Sequence, residues 1–220
     1  MHPLAIGNGA IREHGAIQKG EELAGFLALV MSVEPMKTIV EIGAFAGGTL
    51  WAWYQLGARV IGVDMPPPGF PDGPQVNDLG MTVICGDSHL ESTRDQLVTE
   101  LAGDQIDMLF IDGDHTYEGV KADYELYAPL VRPGGIIGFH DIRQHVAQPY
   151  IEVQRFWLTL HGEKDEIVCR PDLGDWGGIG VIRAEDPAEV ADRRADQLKR
   201  YLKAQAGAYH NPGKILQKAR

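Results

Sequence analysis

Short apolar runs alternate with stretches of helical period along most of this chain. Residues 21–33 place Leu23, Phe26, Leu27 and Val30 on one face before Pro35, which predicts a helix. Residues 38–42 then read as a buried strand, 48–56 as a helix closed by Gly57, and 59–64 as a second strand. The alternation continues through a strand at 81–85, a helix at 90–102, a strand at 106–111, a helix at 117–131 and a strand at 136–139. Pro133-Gly134-Gly135 is expected to end that helix. A helix at 151–160 follows, then strands at 166–169 and 178–182 around a loop at 172–177. An amphipathic helix at 188–203, through Val190, Leu198, Tyr201 and Leu202, leads to a basic tail. Residues 1–20 have weak periodicity and read as an irregular lead-in or cap.

Strands and helices in strict alternation imply an α/β fold with a parallel sheet covered on both faces. The stretch 65–79 interrupts the pattern: PPPGFPDGP removes N–H donors and fixes φ, so it reads as a loop, either a lid or substrate wall or an irregular connection.

At 220 residues the chain suits one domain, 1–220, with a substantial core. A net charge of −11 argues against a broad electrostatic grip on nucleic acid. No run approaches membrane-spanning length, and the first fifteen residues lack a signal-peptide core, so a cytoplasmic protein is expected. Cys85 and Cys169 lie far apart in apolar runs and read as buried, reduced thiols.

Candidate chemistry begins at IVEIGAFAGGTL, residues 39–50. A strand, a turn rich in glycine (Gly43, Gly47, Gly48) and a helix start together aim free N–H groups at a nucleotide-like ligand. Its spacing is Glu-x-Gly-x-x-x-Gly-Gly, unlike the dinucleotide fingerprint. In parallel sheets ligands sit beyond the carboxyl ends of the strands. Asp64, after the second strand, stands where an acid meets a ribose; Asp87, after the third, can accept from an adenine amine, with Ser88 beside it. Glu41 is expected to bond backbone N–H groups near the same ligand.

Glu41-Ile42-Gly43 resembles the first motif of class I S-adenosylmethionine (SAM) methyltransferases. FIDGDHTYEGVKADYELYAPLVRPGGIIGFHD, residues 110–141, resembles more closely the small metal-assisted O-methyltransferases. That group spans catechol-type enzymes and bacterial relatives acting on sugars or natural products, the cephalosporin-hydroxylase-like family among them. Gln18-Lys19-Gly20 resembles the catechol-type lead-in.

The resemblance implies a Rossmann-like, doubly wound, mostly parallel seven-stranded sheet with an antiparallel last strand. It implies SAM as cofactor, held by Glu41, Gly43, Ala44, Gly47, Asp64, Asp87, Ser88 and Asp112. Carried over by position, Asp112, His140 and Asp141 form the set for a divalent metal, Mg²⁺ by family habit. His140 departs from the family's usual pair after strand five, and an imidazole favours Mn, Fe, Co or Zn. His140 therefore stands either as ligand or as base. His115, three residues past Asp112, is either the general base or a loop-capping histidine. Asp114 reads as a turn organiser or helix cap, His145 as a solvated loop residue ahead of one that reaches the substrate, and Trp176 as pocket wall or packing.

The function expected is SAM-dependent O-methylation of a small hydroxylated molecule, a sugar or natural product ahead of a catechol. The alternatives are a metal-independent methyltransferase with a histidine base, or a non-catalytic nucleotide-binding protein. A homodimer is compatible with the terminal segments.

Overall fold

The computed structural model describes residues 1–33, 35–65, 80–169 and 176–186, and residues 188–190, 192, 195–196, 198–200 and 202–203 beyond them. The 65–79 loop, the 172–177 loop up to Trp176, Tyr201 and the basic tail thus lie outside the described residues, Met65 excepted.

Seven strands form one sheet: β1 (Thr38–Ile42), β2 (Arg59–Asp64), β3 (Thr82–Cys85), β4 (Ile106–Ile111), β5 (Val131–His140), β6 (Asp165–Ile167) and β7 (Ile179–Arg183). Their order is β3-β2-β1-β4-β5-β7-β6. β3 through β5 run parallel, and β7 pairs antiparallel with both β5 and β6. This is the doubly wound, Rossmann-like arrangement with the inserted antiparallel strand.

Alternation along β1 sorts its side chains between two cores. Ile39 joins Phe26, Leu27, Leu50 and Trp53 under α1 (Pro3–His14), α2 (Gly20–Met31) and α3 (Gly48–Tyr54). Val40 and Ile42 join Leu97, Tyr127, Phe139 and Trp157 under α4 (Glu91–Leu101), α5 (Tyr117–Tyr127) and α6 (Val153–Trp157).

Four expectations need correction. Residues 3–14 are a helix, not an irregular lead-in: His2 caps it, Pro3 opens it, and Gly15 closes it at φ 76°. Its glycines weaken the helical signal yet serve packing, since a Cβ at Gly7 would stand 3.1 Å from the Gly20 carbonyl and one at Gly9 would strike Trp51. Pro133-Gly134-Gly135 lies within β5, where the register to β4 shifts between Ile106 and Met108; α5 already ends at Tyr127 and a 3₁₀ turn with Pro129 follows. Cys85 is exposed, because β3 is the sheet's edge strand, and Cys169 is half-buried and lies past the end of β6. The 151–160 helix is reduced to the short α6.

By its contacts the chain divides into residues 1–184 and 185–220. In the second unit the described residues from 188 onward are helical, with Leu198 and Leu202 exposed. No described helix is long and apolar enough to cross a membrane.

Candidate active site

Beyond the carboxyl ends of β1 to β5 lies an open cavity of about 740 Å³. The backbone stitches its floor: Gly43 N–H donates to Val63 C=O, Asp112 N–H to Ile42 C=O and Gly86 N–H to Asp64 C=O. Gly43 sits at φ 89°, and any Cβ there would collide with the Asp112 carbonyl. This close approach explains the glycine at the end of β1.

Toward β2 and β3 the cavity is lined by Gly43, Ala44, Asp64, Asp87 and Ser88. One Asp64 oxygen accepts the Phe45 N–H, which fixes the carboxylate against the glycine turn. Burial raises the Asp64 pKa, with the backbone N–H groups opposing it. Asp87 accepts the His89 N–H at 3.0 Å. Tyr127 of α5 donates to the Ser88 carbonyl at 2.8 Å and so holds that loop from below.

Glu41 and Gly47 do not line this cavity. Glu41 is fully buried under α3 and accepts from the Thr49 hydroxyl (2.5 Å) and the Trp53 indole (2.9 Å), not from backbone N–H groups. Burial pushes its carboxyl up to about 8, against the Thr49 bond and with the Asp112 charge adding to the rise. Gly47 caps α3 at φ 79°.

Toward β5 the structure gathers Asp112, His115, His140 and Asp141, whose ligand atoms all lie within 4.8 Å of one another. His115 Nε2 stands 3.3 Å from Asp112 Oδ1 and 3.1 Å from Asp141 Oδ2. His140 Nδ1 stands 3.1 Å from Asp112 Oδ1 and 3.5 Å from Asp141 Oδ1. Three of the four side chains are nearly buried, while His115 is 33% exposed. Asp141 takes a left-handed backbone, φ 61°, sparsely used by side-chain-bearing residues and often found at functional sites.

Opposite charges dominate this cluster. Bonding to Asp112 and then Asp141 pushes His115 up to about 10 against the cost of burial. Burial acts to lower His140, but the Asp112 carboxylate outweighs it and carries the imidazole up to about 9. For Asp112, burial is overcome by the His140 charge and the His115 bond, so its pKa is lowered. Asp141 is held well below the usual carboxylate range by His115 and His140, again against burial.

A second layer orients the carboxylates. The Gln18 amide donates to Asp112 Oδ2 at 2.7 Å. His145 Nε2 lies 3.0 Å from Asp141 Oδ1, which also accepts the Gly177 N–H at 3.2 Å. His145 is therefore a buried site residue, not a solvated one. Asp114 accepts the Thr116 N–H and organises the turn as expected. Trp176 lines the cavity, with the Lys19 ammonium 4.9 Å from its ring centre. Glu22 holds the neighbouring backbone, accepting from Cys169 N–H (2.9 Å) and Gly178 N–H (2.8 Å). Sequence spacing gives no signal for Glu22, because its partners are distant in the chain, and for His145 it gives only a place just past the fifth strand.

A family profile described as "Methyltransferase domain" matches residues 40–142. The chain is 29% identical over 172 residues to the Dictyostelium discoideum protein named "Probable caffeoyl-CoA O-methyltransferase 1", covering 72% of this chain and 71% of that one. Its fold is similar to that of an O-methyltransferase from Bacillus cereus solved with SAH, with a TM-score of 0.57, 22% identity, and coverage of 82% of this chain and 88% of that one. It is also similar to the MycE methyltransferase of the mycinamycin biosynthetic pathway, solved with Mg and SAH. That match has a TM-score of 0.52 and 18% identity, and covers 64% of this chain and 37% of the other.

Proposed function

We propose that this chain, which is similar to SAM-dependent O-methyltransferases, methylates a hydroxyl of a small molecule with the help of a divalent cation at Asp112, His140 and Asp141. The observation that carries this reading is the convergence of two carboxylates and two imidazoles at the ends of β4 and β5, beside the cofactor cavity.

The residues suit both groups. Ala44, Gly43 and the acids Asp64 and Asp87 offer close backbone approach and two hydrogen-bond acceptors for the nucleoside of SAM. Ser88 adds its backbone, and Asp112 borders both halves of the cavity. The carboxylate and imidazole donors suit Mn, Fe, Co or Zn, with Mg²⁺ served by the carboxylates alone. When bound, SAM supplies an electrophilic methyl group and the cation lowers the pKa of a nearby hydroxyl.

In this reading the chain's own residues orient the acceptor and move its proton. Asp112, His140 and Asp141 are the buried cation ligands. His115 is the one member of the cluster with substantial access to the cavity, and its Nε2 is the proton acceptor. At neutral pH both imidazoles carry protons while Asp112 and Asp141 have no other cation to face. A histidine in that state is no base, which counts against a metal-independent mechanism. With a cation held by Asp112, His140 and Asp141, the two carboxylates would no longer favour a charged His115, whose neutral Nε2 would then be able to take the acceptor's proton.

The acceptor half is walled by Trp176, Tyr150 and Gln148. An aromatic face with polar neighbours suits a ring bearing several hydroxyls, which favours a sugar or a natural product over a catechol. The MycE likeness is compatible with that choice and with Mg²⁺.

The test strips the protein with EDTA, adds back Mg²⁺, Mn²⁺, Co²⁺ or Zn²⁺, and follows both cation binding by calorimetry and methyl transfer to a panel of sugars and catechols. Binding of one cation per chain with recovered transfer supports the reading. Full transfer by the stripped protein sinks it.

A further inference from the structure

Behind the cavity floor, on the α5 side, lies a carboxylate that the proposed reaction does not use. Asp123 is fully buried, and a Cβ built on cavity-lining Gly113 would stand 3.2 Å from its Oδ2. A side chain at Gly113 would press on it. Among the described residues neither Asp123 oxygen has a hydrogen bond of good geometry, nor does the buried Nε2 of His89, and the Ser88 side chain is the other polar group that reaches Asp123. The Asp123 carboxylate and His89 Nε2 face each other at 3.7 Å. The other ring nitrogen of His89, Nδ1, stands 3.7 Å from Asp87 Oδ1.

Tyr127, one turn further along α5, already closes a 2.8 Å bond to the Ser88 carbonyl. One helix thus grips the 87–89 loop at two points, one bond made and one open by less than an ångström or so. Buried polar groups without partners are costly, roughly 1–3 kcal/mol each in proteins, so the open pair needs a reason to persist. Hydrogen bonds in unliganded sites are often long and tighten when the ligand arrives.

We infer that His89 and Asp123 form a base-recognition device: Asp123 is the buried positioning residue that fixes the His89 ring, and His89 holds the Asp87 carboxylate as an acceptor for the exocyclic amine of the cofactor's adenine. In its protonated form the ring has an N–H for each carboxylate. Asp87 Oδ1 is already engaged by the His89 backbone N–H, which leaves Oδ2 for the ligand. A fixed acceptor there receives a 6-amino group and repels a 6-oxo group, so the pair sets adenine specificity. This inference rests on the SAM reading of the cavity.

Calorimetry with SAH and with S-inosylhomocysteine, its 6-oxo counterpart, tests it on wild type, H89L, H89Q and D123N. Wild type is expected to prefer SAH by about tenfold or more, the worth of one good hydrogen bond. H89L should lose about tenfold in SAH affinity and stay within about twofold for the 6-oxo ligand. H89Q, whose amide NH₂ can still donate to one of the two carboxylates, should recover part of the preference, and D123N should shift it in the direction of H89L. His89 is partly exposed, so H89L tests the idea even where Asp123 variants fail to fold. Unchanged SAH affinity in H89L, or equal losses for both ligands, overturns the inference. Absence of SAH binding to wild type overturns the cofactor reading itself, and this inference with it.

Discussion

Glu22 and Gly178 stand 156 residues apart in the chain, yet the buried carboxylate of one accepts the N–H of the other at 2.8 Å. The second Glu22 oxygen accepts the Cys169 N–H, so a single side chain of α2 holds backbone on either side of Trp176. An amide in its place has one acceptor oxygen for two buried N–H groups. Glu22→Gln is therefore expected to destabilise the fold by about 1–3 kcal/mol. Urea denaturation of the two proteins checks this, and coincident midpoints would show that the clasp contributes nothing.

Cation binding should release protons. With His115 raised to about 10 and His140 to about 9, both imidazoles are charged at neutral pH, and a ligating or basic imidazole must be neutral. Apparent cation affinity should thus rise with pH between about 6 and 9. Titration calorimetry in two buffers of different ionisation enthalpy measures the protons released, and a heat independent of buffer would count against the cluster as described.

His115 and the other three cluster members should separate experimentally. His115→Ala is expected to cut methyl transfer by about 100-fold or more, the usual worth of a general base, while cation affinity stays within a few-fold. Asp112→Asn, which removes a buried ligand, should lower both. A loss of cation binding in His115→Ala equal to that in Asp112→Asn would instead make His115 a ligand.

Glu41 gives a pH-dependent stability of definite sign. Its folded pKa, about 8, lies above the ordinary 4.5, so the folded state binds the proton more tightly. Stability from this group is full below 4.5 and falls as pH rises toward 8. Glu41→Gln keeps an acceptor for Trp53 and an N–H for Thr49 and carries no proton to lose. Its unfolding free energy, measured from pH 5 to 9, should fall less steeply than that of wild type; parallel curves would remove Glu41 as the cause.

The alternation of apolar runs and helical periods was enough to locate the strands and to predict a parallel sheet with two covered faces, because each element's pattern is local, whereas the antiparallel last strand was implied only by the family resemblance. The Gly43 turn and the acids Asp64, Asp87, Asp112 and Asp141 were legible for the same reason: each directly ends or follows a strand. The helix at 3–14 was not, because Gly7 and Gly9 weaken the local signal and matter only against Gly20 and Trp51. Nor was the true partner of Glu41, since nothing in β1 says which side chains of α3 will meet it.

The stretch 39–50 by itself determined a site for a nucleotide-like ligand, through a strand–turn–helix whose backbone geometry is written in its glycines. Only the tertiary structure decided that His115 joins Asp112, His140 and Asp141, that His145 and Gln18 orient them, and that Asp123 lies behind Gly113. Those relationships join residues from different strands and helices. Their distances are set by how the sheet registers and how α2 and α5 pack on it, which no local pattern encodes.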